Sequence, residues 1–125
     1  MAACVLWLDS QHAKIFKISP AGIKRKVVKL NKIRHHNNNY ERNLENSEEK
    51  FFIDVIRAIG EVNERFLIMG PAEAKLNFKK YLEKHRLQKL LKPLVSVVPL
   101  EELTDNQILE ASRVQFRRYD LYHPI

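Results

Sequence analysis

The side chains best suited to chemistry lie in one polar stretch, Asn31 to Ser47 (NKIRHHNNNYERNLENS), seventeen residues without helical or strand period. It carries Arg34, the pair His35 and His36, three consecutive asparagines, Tyr40 and Arg42. Imidazole titrates near neutrality, so His35 and His36 are candidates for general base and general acid in RNA cleavage. The same rings, with the two guanidiniums and the Tyr40 ring, equally offer hydrogen bonds to phosphate and one stacking surface. Adjacent histidines in a loop have no assured relative geometry, so phosphate contact is preferred over catalysis. As metal ligands the pair lacks an obvious third and fourth partner, His12 being the nearest candidate. The plainer reading is a solvated loop whose asparagines tolerate turns, although loops of this length are mostly functional or disordered.

Asp9, closing an apolar run, is the second candidate. In a ribonuclease-H-like arrangement, clustered carboxylates hold two metal ions that activate water and stabilise the leaving oxygen. Glu48 or Glu49 and Asp105 would complete such a set. Each acid also has a sufficient local role, Asp9 in a turn and the others at helix N-termini, so this stands as the alternative and no cofactor is expected. The segment GPAEAK has one glycine and a lysine, which is not a phosphate-loop pattern; it reads as a helix start after a strand.

Charge is segregated. Net charge is +7, and no acidic residue separates Asp9 from Glu41, while Lys14, Lys17, Lys24, Arg25, Lys26, Lys29, Lys32 and Arg34 fall between them. A second basic block, Lys75 to Lys92, includes Lys75, Lys79 and Lys80 and only one acid, Glu83. A one-signed field over part of a surface favours a polyanion such as RNA. Cys4 is the only cysteine, which excludes an internal disulfide and a cysteine-based zinc site. It sits in an apolar run and reads as a buried, inert thiol. The opening MAACVLWLD has no basic leader region and its apolar run is too short for a membrane span, so a cytoplasmic protein is expected.

These residues must be held by elements that the pattern makes legible. Ala3 to Leu8 and Ala13 to Ile18 read as a β-hairpin. Ser19-Pro20-Ala21-Gly22 is a turn, and Ile23 to Leu30 is a basic third strand suited to a sheet edge. Asn46 or Ser47 caps a helix with Phe52, Val55, Ile56 and Ile59 on its buried face, ending near Gly60. Arg65 to Met69 is a strand, and Gly70-Pro71 opens a helix with proline at its first position and Ala74, Phe78, Tyr81 and Leu82 as its apolar stripe. That leaves the helix's lysines facing solvent or a partner. Leu94 to Val98 is an interior strand. Thr104 to Gln107 is a capping box for a helix to about Arg118, followed by a loose tail from Tyr119. The order βββαβαβα implies one α/β domain over residues 1–118, with a mixed five-stranded sheet covered by helices.

This order and five blocks of sequence resemble the central domain of archaeal and eukaryotic peptide-chain release factors and of pelota, and the small bacterial release-factor-like "translational machinery" proteins. The blocks are VLWLDSQHAKIF (Val5 to Phe16), His35-His36, FFIDVIRAI (Phe51 to Ile59), LIMGPAEAKLNFKKYLEKH (Leu67 to His85) and LTDNQILEASRVQF (Leu103 to Phe116). In release factors the loop after the third strand carries a Gly-Gly-Gln tip that promotes hydrolysis of peptidyl-tRNA. This chain has only Gly22, Gly60 and Gly70 and no such motif, so peptide release is not carried over. The resemblance implies the fold and ribosome association. The expected function is non-catalytic binding of RNA, on the ribosome or with tRNA, without a membrane or small-molecule substrate. The competing readings are a metal- or histidine-dependent ribonuclease and a protein-interaction module, such as a homodimer joined through the strand edge.

Overall fold

A computed structural model describes residues 2–30 and 40–122, the backbone alone at 40–46 and at 122. The run ACVLWL forms β1 (Ala3–Leu8), and every one of its residues is buried. A strand with apolar side chains pointing both ways must be covered on both faces. Its neighbours supply the frame. β2 (His12–Ser19) and β3 (Gly22–Lys29) complete an antiparallel meander on one side of β1, while β4 (Arg65–Gly70) and β5 (Leu94–Pro99) run parallel to it on the other. The sheet order is β3-β2-β1-β4-β5.

Helices close both faces. On one side α1 (Tyr40–Ile59), α2 (Ala74–Lys84) and the short α3 (Gln88–Leu91) bring Phe51, Phe52, Val55, Ile59, Phe78, Leu82 and Leu90 onto Cys4, Leu6, Leu8, Ala13 and Ile15. On the other, α4 (Asp105–Tyr122) lays Ile108 and Phe116 against Ala3, Val5, Trp7, Phe16, Leu67 and Met69. This is the single α/β domain with a mixed five-stranded sheet that the sequence predicts. Among the described residues no helix is long and apolar enough to cross a membrane.

The elements differ from expectation in five places. α1 starts at Tyr40, not at Asn46 or Ser47. Glu41, Arg42, Leu44 and Glu45 are good helix formers, and Ser47 is buried within the helix, four residues before Phe51, rather than capping it. α2 starts at Ala74, because Gly70 is still in the sheet, its carbonyl accepting the Leu100 N–H at 2.9 Å, and Pro71 to Glu73 are used in the turn. α3 is an unpredicted short helix. β5 is an edge strand; it is apolar because helices cover its two faces, Val97 packing on one core and Val95 and Val98 on the other. α4 continues beyond Arg118 to Tyr122, held there by Arg65, whose Nη2 lies 2.6 Å from Asp120 Oδ1.

Two terminal signals are met as predicted. Gly60 takes φ of +65° at the end of α1 and its N–H donates to the Ile56 carbonyl at 3.1 Å. Before α4, Gln107 N–H donates to Thr104 Oγ1 at 3.3 Å and Gln107 Oε1 accepts the Thr104 N–H at 3.1 Å, a reciprocal capping box.

Candidate nucleic-acid interface and the Asp9 cluster

Strand pleating decides where the cations of the meander go, because directly paired residues share a face. Lys17 pairs with Lys24 and Ile15 with Lys26, so these lysines lie on the α1 side of the sheet. Phe16 pairs with Arg25, Lys14 with Val27 and His12 with Lys29, on the α4 side. The basic block is therefore one edge of a sheet with charge on both faces.

Three of its members are already engaged. Lys14 lies with its ammonium 3.9 Å from both Glu102 Oε1 and Asp105 Oδ1 and 5.6 Å from the centre of the Trp7 ring. Arg25 Nε meets Asp105 Oδ2 at 2.5 Å. Lys17 Nζ donates to the Glu61 carbonyl at 3.0 Å, just past the end of α1. By contrast Lys24, Lys26 and Lys29 are exposed and form no ion pair among the described residues.

The second basic block is corrected at one position. Lys75 is buried rather than facing a partner, and its ammonium donates to the Ala72 carbonyl. With α2 beginning at Ala74, Lys75 falls three residues before Phe78 and seven before Leu82, on the helix's inward ridge. Its apolar stem is buried and its head reaches back to the turn. Lys79 is half-buried and Lys80 exposed. Of the remaining candidates, Lys32, Arg34, His35 and His36 lie outside the described residues, and Tyr40 and Arg42 are described only as backbone in the first turn of α1.

Asp9 does not assemble with the acids expected of a two-metal site. Glu49 stands beside Tyr81: burial first, and then this carboxylate, push the Tyr81 hydroxyl above its usual range. Asp105 is held by Arg25 and Lys14. What joins Asp9 is His12, with Nδ1 3.2 Å from Asp9 Oδ1, and Glu102, whose Oε1 is 3.3 Å from His12 Nε2. Asp9 Oδ1 also accepts the N–H groups of Gln11 and His12, each at 2.8 Å, so it shapes the β1–β2 turn as well. Sequence reasoning missed Glu102. Its only signal was an acid just after a strand end on the same side of the sheet. Cys4 is buried as expected, its thiol pushed up to about 12 by burial with Lys17 acting the other way.

No protein-family model matches the sequence, and no curated protein matches it. Solved structures do. Pelota of Thermoplasma acidophilum is similar over 88% of this chain and 31% of its own length, with a TM-score of 0.61 and 20% identity. The archaeal translation termination factor aRF1 is similar over 97% of this chain and 40% of its own, with a TM-score of 0.62 and 17% identity. For S. cerevisiae Dom34, a translation termination-like factor involved in RNA quality control pathways, the figures are 94%, 35%, 0.56 and 11%. The chain thus spans between 31% and 40% of the length of these solved chains. The fold is release-factor-like, of the kind found in the central domain of such factors, as the sequence blocks imply.

Proposed function

We propose that this chain is a translation-associated RNA-binding protein that acts on the ribosome or with tRNA and has no catalysis of its own. The observation that carries the proposal is the cationic edge strand. Lys24, Lys26 and Lys29 stand exposed along β3 without an acidic partner among the described residues, on a fold shared with translation termination factors. Exposed lysines can place themselves against successive phosphates, and phosphate contact dominates affinity for nucleic acid. Lys80 adds a further exposed charge on α2, and Arg34, His35 and His36 follow β3 in the sequence.

Lysines on an edge strand also discourage pairing with a second strand, so the homodimer reading loses ground to the same observation. The test is sucrose-gradient fractionation of cell lysate at low and high salt. Co-migration with ribosomal particles that is lost at high salt supports the proposal, and migration at the top of the gradient at both salts refutes it. With purified protein and RNA, affinity should fall on the order of 10³-fold between about 50 and 200 mM salt if about six phosphates are contacted, while the RNA remains uncut.

A further inference from the structure

The geometry points to a site for a divalent transition metal formed by Asp9, His12 and Glu102, where β1 turns into β2 and the chain leaves β5 for α4. This goes beyond RNA binding and does not depend on it. One ligand atom from each residue lies within 4.8 Å of the others. Ligand atoms about 2.0–2.2 Å from one ion are about 3.5 Å apart in a tetrahedral site. Asp9 Oδ1 and His12 Nδ1, at 3.2 Å, already meet that spacing, and rotation of the exposed Glu102 side chain from Nε2 towards them completes the set.

The surroundings hold the other two ligands in place. Two backbone N–H groups fix the Asp9 carboxylate. The Trp7 ring lies 5.2 Å from the His12 ring, centre to centre, and is itself anchored by its Nε1–H, which donates to the carbonyls of Leu100 and Glu101 at 3.1 and 3.2 Å. Those carbonyls belong to the segment that carries Glu102, so one indole aligns both sides of the site. Lys14 is the competing cation at Glu102. Asp105 at the same 3.9 Å and the Trp7 face give Lys14 somewhere to remain when an ion takes the carboxylate. One imidazole and two carboxylates suit Zn²⁺ or Mn²⁺ better than Mg²⁺, which binds through oxygen and keeps its waters. Three protein ligands leave a position open to water or a phosphate oxygen.

Trp7 is the only tryptophan of the chain, which makes it a reporter for the site. The full chain is titrated with Co²⁺ as a fluorescence quencher, and Zn²⁺ is then added as competitor. Expected are saturable quenching at one equivalent and its reversal by Zn²⁺. Glu102→Gln and His12→Ala should each weaken binding by at least about tenfold, an effect that even outer-shell partners of a metal can have. A His35→Ala/His36→Ala double variant should bind as the parent does. Absence of saturable quenching, equal binding by Glu102→Gln, or loss of binding in the double variant overturns the proposal. Glu102 is in an exposed connection, so Glu102→Gln decides the matter even where His12→Ala fails to fold.

Discussion

Arg25 on the edge strand and Asp105 at the first turn of α4 meet at 2.5 Å, tying the outermost strand to the helix on that face. An acid at a helix start is favoured by the helix dipole, so Asp105 stabilises α4 and Arg25 neutralises it. Both side chains are more than a third exposed, which keeps the pair within the roughly 0–1 kcal/mol of surface ion pairs. Arg25→Ala should therefore lower stability in urea unfolding by under about 1 kcal/mol and weaken RNA binding less than Lys26→Ala does. Equal losses of affinity would show that Arg25 leaves Asp105 to bind phosphate.

The unpaired lysines behave differently. Replacing Lys24, Lys26 and Lys29 together by alanine should reduce the slope of log affinity against log salt by about 2 to 3 if each contacts one phosphate, with the unfolding midpoint almost unchanged. Lys75→Ala should do the reverse. It leaves RNA affinity alone and costs about 1–3 kcal/mol, since a charged hydrogen bond to the Ala72 carbonyl is lost. Parallel filter-binding and urea titrations separate the two behaviours.

Folding raises the Cys4 thiol from 9.0 to about 12. A folded pKa above the unfolded one means the contribution is complete below pH 9 and fades as pH climbs from 9 towards 12. Tyr81, raised by burial and by Glu49, adds a loss in the same alkaline direction. Stability should hold through neutral pH and decline in that window, less steeply in Cys4→Ala. At neutral pH a thiol reagent should leave Cys4 unmodified until denaturant is added.

At Gly70 a Cβ would lie 2.1 Å from the Leu8 carbonyl oxygen, and backbone cannot give way as a side-chain tip can. Gly70→Ala must push β4 away from β1 at the buried centre of the sheet. A loss of about 1–3 kcal/mol or more is expected by chemical denaturation, against an effect near zero for Ala→Gly at exposed Ala21.

Much of this architecture is legible in the sequence because its signals are local. The apolar runs at Val5 to Leu8 and Phe66 to Met69 read as strands, the lysines of β3 mark an edge, and Thr104 with Gln107 announces α4. Polar composition hid the first two turns of α1, where propensity rather than apolar spacing was the guide. Lys75 was misplaced because its facing depends on where α2 begins, and that depends on Gly70 staying in the sheet. The Asp9 cluster is a tertiary event: His12 could be seen near Asp9, but Glu102 arrives only because β5 pairs with β4. No spacing rule in one dimension carries that.

β1 has hydrogen-bonded strands on both flanks and helices above and below, whereas β3 pairs with one strand alone among the described residues and most of its side chains are exposed. Amide protons in the middle of the sheet can therefore exchange with solvent only through global opening, while those of the outer strand need only local release. The domain joins a rigid interior to a rim that can yield, and it is the rim that carries the lysines we propose for RNA contact.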